Sequence, residues 1–165
     1  MLILGGGAIG LLVAMLLNAL FPNVEYIIVD QYEERIEQAS ALGISKEKFN
    51  PLPKDGKVTD IIDTTGNSKL IMLYMPRLHY SGNLVMIGLS DSRIEFQVRN
   101  FIYNGWNIKT VYRYTNTWPF LISLLENREI VLDKIITQTY SVSDVQSAFE
   151  ISNDKRKSIK VCISF

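Results

Sequence analysis

The chain has 165 residues, with 17 basic and 17 acidic side chains, so its formal net charge is zero. That balance removes the electrostatic basis for gripping nucleic acid or an anionic membrane. With 47% hydrophobic and 21% charged residues it has a globular composition, and a chain this long buries roughly 70% of its unfolded surface.

Residues 1–4 form an apolar run of the kind found in strands buried on both faces, and the run ends at glycines. Ala8–Leu20 reads as a buried helix, stopped by Pro22 and Asn23. The whole of 1–20 is apolar, but it lacks a basic leading segment and glycines interrupt it. We therefore read strand, turn and helix rather than an export signal. A second strand is predicted over 25–29. A helix over 31–42 follows, with Ile36, Ala39 and Leu42 inward, Glu33, Glu34 and Arg35 solvated, and Gly43 at its C-terminal cap.

The proline-bearing stretch 44–57 reads as a short edge strand plus loop. Val58–Asp63 is the next strand, and a helix over 68–78 follows. Apolar strands are predicted at 84–87 and 94–96, a short helix at 99–103, and a strand at 107–112. Trp118–Glu126 reads as a helix with Pro119 in its first turn. The end of the chain reads as strand (135–140), helix (142–151) and strand (159–164), with a solvated charge run at 154–157.

Strands alternating with helices predict right-handed crossovers. The expected fold is α/β: a doubly wound parallel sheet with helices on both faces over residues 1–131, then a strand-helix-strand appendage over 132–165. A single cysteine, Cys162, forms no intramolecular disulfide, and with the single histidine, His79, it cannot supply the three protein ligands of a catalytic zinc. A reducing, cytoplasmic compartment is the expectation.

Gly5, Gly7 and Gly10 form G-x-G-x-x-G after a strand and into a helix, and Asp30 stands twenty positions beyond Gly10. Gly5 permits the tight turn, Gly7 lets a diphosphate approach the backbone, and Gly10 lets helix and strand pack closely. The helix opening at Ala8 offers free N–H groups and a positive dipole end to phosphate. The Asp30 carboxylate suits ribose hydroxyls and repels a 2′-phosphate, so NAD is favoured over NADP. A methyltransferase binding S-adenosylmethionine is the competing use of such a frame, but its methyl donor carries no diphosphate. Ligands on open α/β sheets lie beyond the carboxyl ends of the strands. That brings in Thr64, Thr65 and Gly66 for the adenosine side and Gly88 for the nicotinamide.

Those motifs, with Arg35 and Ala39 before Leu42-Gly43 and the run from Gly82 to Gly88, resemble the coenzyme domain of the medium-chain dehydrogenase/reductases. The run from Tyr112 to Pro119, Ala148-Phe149-Glu150 and Ile159-Lys160-Val161 resemble the sorbitol (L-iditol 2-) dehydrogenase branch. The resemblance covers essentially the whole chain. It implies that Ile9, Asp30 and Arg35 contact the adenosine half of NAD, and that Ile87, Gly88, Leu89, Tyr112, Arg113 and Tyr114 border the nicotinamide. Arg113 and Tyr114 would also point toward a polyol substrate.

The family's N-terminal catalytic domain, which holds zinc, has no counterpart in these residues. The resemblance thus implies that 132–165 packs on that domain, leaving Ile135, Ile136, Val145, Phe149, Ile159, Val161 and Ile163 as exposed apolar surface. No residue reads as a general base or a metal ligand, and His79 falls near a helix end, away from the strand termini. A non-catalytic NAD-binding module is the alternative function. Homo-oligomers through the sheet edge are expected, with 108–112 and 94–96 as the candidate edge.

Overall fold

A computed structural model describes residues 1–90, 93–127, 130 and 132–165. Among them, five strands form one parallel sheet: β1 (Leu2–Leu4), β2 (Ile27–Val29), β3 (Val58–Asp63), β4 (Leu78–Met86) and β5 (Asn107–Thr110). Their spatial order is β2-β1-β3-β4-β5. Helices α1 (Ala8–Leu20), α2 (Glu34–Ala41), α3 (Ser68–Tyr74), α4 (Val98–Asn104) and α5 (Trp118–Glu126) cover its two faces.

The strand β1 shows how the sequence builds both layers. It is wholly buried, and its side chains alternate, as the period-two geometry of a strand requires. Ile3 joins Leu11, Ala14 and Leu17 of α1 and Leu124 of α5 in one cluster. Leu2 and Leu4 join Ile61, Ile71 and Leu84 in the other, where Phe101 and Trp106 add partly buried rings. Cutting any of these fully buried leucines to alanine costs about 2–5 kcal/mol.

The register fixes where a ligand can sit. Leu4 lies opposite Val29 on one side and Asp63 on the other. The chain leaves β1 toward β2 and later crosses to β3, so β1 and β3 flank the point where strand order reverses. A crevice opens there at the carboxyl ends.

The rest of the chain forms a smaller unit. Strands β6 (Ile136–Ser141) and β7 (Lys160–Ser164) pair in parallel as a separate two-stranded sheet, crossed by α6 (Val145–Asn153). Leu132 and Ile159 pack against the α1 side of the main core. Among the described residues, no helix is long and apolar enough to cross a membrane.

Several expectations need correction. Residues 44–57 hold a single 3-10 turn, Lys46–Phe49, and no strand; Pro51 and Pro53 withhold the N–H groups that an edge ladder needs. Residues 94–96 are not a strand either, although Ile94 and Phe96 pack on the core near Phe101. The helix predicted over 68–78 ends at Tyr74, where Pro76 tightens the chain into a 3-10 turn before β4. Ile135 is buried rather than exposed. Arg35 is buried as well, because its face of α2 meets the C-terminal unit.

Candidate functional site

The crevice holds about 620 Å³ and is walled by the first glycine turn, the end of β2 with α2, the turn after β3, and part of the C-terminal unit. Each wall has a local cause. Gly5 adopts φ +100°, and a Cβ there would come within 2.7 Å of both Thr64 Oγ1 and Thr65 Cγ2. A Cβ on Gly10 would run into the Gly5 carbonyl oxygen. Gly5 thus lets the turn after β3 close on the glycine turn, and Gly10 lets α1 pack tight against the end of β1. Gly7 differs: among the described residues, nothing lies within 4 Å of the position its Cβ would take. Gly7 itself lines the crevice, at the start of a helix that no side chain caps among the described residues.

Such an arrangement accepts an anion. The first-turn N–H groups of α1 have no intrahelical partners, and the helix end carries about half a positive charge. Beside it, Asp30 is fixed by two backbone donors: Gly6 N–H gives to Oδ2 at 2.7 Å and Tyr32 N–H to Oδ1 at 2.9 Å. Each carboxylate oxygen keeps a lone pair for a hydroxyl of a sugar seated in the crevice.

On the other side of β1, the Asp63 carboxylate is fully buried and organises the β3 turn. It accepts from Thr65 N–H, Thr65 Oγ1–H at 2.6 Å and Gly66 N–H. Thr64 Oγ1 donates to the Leu4 carbonyl at 2.8 Å, clamping this turn to β1.

Of the residues singled out from sequence, Gly5, Gly7, Ala8, Ile9, Asp30, Arg35, Thr64 and Thr65 line this crevice together. Gly10 shapes it from behind. Gly66 and Gly88 instead cross each other backbone to backbone, for a Cβ on Gly66 would strike Leu89 O and one on Gly88 would strike Gly66 N. Leu89, Tyr112, Arg113 and Tyr114 stand exposed outside it, with the Arg113 guanidinium 5.1 Å from the Tyr112 ring centroid and Tyr114 edge-on to Trp118. Ile87 also lies outside the lining.

Arg35 departs from a simple ligand role. It is 4% exposed, and its Nη1 donates to Gln38 Oε1 at 2.6 Å and to the Ser158 carbonyl at 3.0 Å. Burial pulls its pKa below the usual guanidinium value, with nearby Asp30 opposing that shift. Its Nε is buried without a partner among the described residues. Tyr32, Asn67 and Leu70 also line the crevice and were not anticipated, nor were Ser152, Lys155 and Ser158 of the C-terminal unit. Asn67 had a signal in its position before a helix, where its side chain caps Lys69 and Leu70 N–H. The C-terminal wall had none, because only the folded chain brings it there.

The family model described as Zinc-binding dehydrogenase matches residues 8–127. The chain belongs to that family. Sorbitol dehydrogenase of Rattus norvegicus is 24% identical over 98% of this chain and 48% of its own length. L-idonate 5-dehydrogenase of Vitis vinifera is 29% identical over 97% and 48%. The chain therefore spans about half the length of the curated relatives it matches. Among solved structures, a short chain alcohol dehydrogenase from Escherichia coli CFT073, complexed with cofactor NADH, superposes with a TM-score of 0.88. It is 24% identical and covers 99% of this chain and 51% of that one, a likeness of fold.

Among the described residues, no group of three or more His, Cys, Asp or Glu side chains could hold a metal.

Proposed function

We propose that this chain is the NAD-binding region of a zinc-type polyol dehydrogenase, one that moves hydride from a secondary alcohol carbon to the nicotinamide. The observation that carries the reading is the unfilled Cβ direction at Gly7, over the start of α1 and beside the anchored Asp30 carboxylate. A diphosphate fits the first feature and an adenosine ribose the second. NADP is disfavoured, since a 2′-phosphate would meet the Asp30 charge. A role in alcohol chemistry draws support from the sorbitol and L-idonate dehydrogenase relatives.

In this reading the crevice binds and orients the cofactor, which carries the redox chemistry. The metal belongs to residues outside this chain, and 132–165 is the segment that meets them, presenting exposed Val145 and Phe149. The β5 edge, with Ile108 and Val111 exposed, is where a second copy would extend the sheet.

Calorimetric titration of the chain with NAD, NADP and S-adenosylmethionine tests the cofactor assignment. NAD is expected to bind at least about tenfold more tightly than NADP, a difference of about 1.4 kcal/mol. Binding of S-adenosylmethionine without NAD would overturn it.

A further inference from the structure

Arg35 leaves α2 beside the Asp30 carboxylate. Its Cβ and Asp30 Oδ2 lie 3.4 and 3.3 Å from the position that a Cβ on Gly6 would take, and both residues line the crevice. In folds of this kind an arginine near the acidic residue is what accommodates a 2′-phosphate. Here the guanidinium is turned elsewhere: no ion pair joins Arg35 to Asp30 among the described residues. Nη1 carries two hydrogens, and both are taken, by Gln38 Oε1 at 2.6 Å and by the Ser158 carbonyl at 3.0 Å.

Both acceptors are themselves held. Gln38 stands one turn beyond Arg35 on α2, and its amide is engaged at each end, since Nε2 donates to the Arg156 carbonyl at 2.9 Å. Its oxygen therefore stays aimed at Arg35. Ser158 closes a turn in which the Lys157 and Ser158 N–H groups donate to the Asp154 carbonyl at 3.1 and 3.2 Å. Arg156 pins that turn to α2 from outside, 3.9 Å from Glu34 and 5.7 Å over the Tyr32 ring. Gln38 is not among the residues lining the crevice, so it acts there only through Arg35.

We propose that Gln38 is a specificity-determining residue: with the Ser158 carbonyl it holds the Arg35 guanidinium off the adenosine ribose, so that Asp30 faces the 2′ position unneutralised and NADP is refused. The proposal rests on the NAD reading above. It assigns part of the discrimination between the two cofactors to a positioning residue and to the turn at 154–158, not to Asp30 alone.

The test titrates NAD and NADP into the parent chain and its Q38L, Q38N and R35M/Q38L variants, with thermal melting alongside. Leucine removes the acceptor at nearly constant volume. Asparagine is one methylene too short to meet both partners, and it carries the test should Q38L melt below the assay temperature. With one tie cut, Arg35 can turn to a 2′-phosphate and form a charge-assisted bond there. The preference for NAD over NADP should shrink about fivefold in Q38L and Q38N, through tighter NADP binding while NAD stays within about twofold of the parent. In R35M/Q38L that gain should vanish, because the cation that receives the phosphate is gone. An unchanged preference in Q38L and Q38N would overturn the proposal and leave the NAD reading standing. Equal weakening of both cofactors would also overturn it, by marking Gln38 as a residue that only keeps the C-terminal unit in place. A gain that survives in R35M/Q38L would do the same, since the effect would then bypass Arg35. If the parent chain binds NADP as tightly as NAD, or binds neither, the proposal and the NAD reading fall together.

Discussion

Two glycines of one turn should respond to alanine in opposite ways. At Gly10 the new methyl would collide with the Gly5 carbonyl oxygen and approach the Gly5 carbonyl carbon at 3.0 Å. Both are backbone atoms, so neither can swing aside as a side chain would. Overpacking of about 3 kcal/mol, less about 1 kcal/mol for alanine's better helix propensity, leaves a net loss of about 2 kcal/mol. For a chain of this size that lowers the melting temperature by about 4–8 °C. At Gly7 the same methyl meets nothing among the described residues, and φ is −76°, which any residue adopts. Alanine costs up to about 1 kcal/mol as a poorer cap and returns about 0.4–1 kcal/mol through the unfolded state. Stability should therefore stay within about 0.5 kcal/mol of the parent, while the methyl occupies the space a diphosphate needs. The assay pairs urea unfolding with calorimetric NAD binding. G10A should lose stability, and G7A should keep its stability yet bind NAD at least about tenfold more weakly. A stable G7A with undiminished NAD affinity would refute the assignment of the turn, and a G10A as stable as the parent would refute the packing argument.

Other consequences are as direct. Asp63→Asn trades one acceptor oxygen for an NH2 facing the β3 turn, so stability should fall by about 1–3 kcal/mol in urea melts. Burial pushes the Tyr26 phenol above its ordinary value of 10.0. The folded state then holds that proton more tightly than the unfolded one. Its contribution is complete below pH 10.0 and disappears as pH rises through the elevated value. Circular dichroism melts should accordingly show the parent losing stability above pH 10.0 faster than Tyr26→Phe does. Removing the Arg35 guanidinium frees the Ser158 carbonyl and Gln38, so Arg35→Ala should speed proteolytic cleavage within 132–165 before the main sheet is cut. Equal cleavage rates would show that this contact does not hold the unit in place.

Elements bounded by sharp chemical signals were readable from sequence. Ala8–Leu20 opens at glycines and is followed by Pro22, Val58–Asp63 is β-branched at four of its six positions and ends at a turn, and Trp118–Glu126 has Pro119 in its first turn. The glycine turn and Asp30 were legible for the same reason: their spacing is local, and each residue type has a steric or charge role that few others fill. What stayed hidden depended on partners far along the chain. Arg35 looks like a solvated helix cation until Ser158, 123 positions away, supplies the carbonyl that draws it inside. Lys155 looks like one of three equivalent charges until Glu34 and Asp154 claim its neighbours. The absent edge strand at 44–57 was hidden differently, since its apolar residues suit a loop packed on the core as well as a ladder; Phe49 and Leu52 both pack inward.

The place of β1 in the middle of its sheet bears on how the molecule assembles. Its backbone partners are β2 on one flank and β3 on the other, and Asp63, at the end of β3, is more than a third of the way along the chain. During synthesis the opening segment waits half-paired, greasy on both faces, until that later strand has left the ribosome. Slowing translation just ahead of residue 58 should therefore prolong the interval in which chaperones have most to protect.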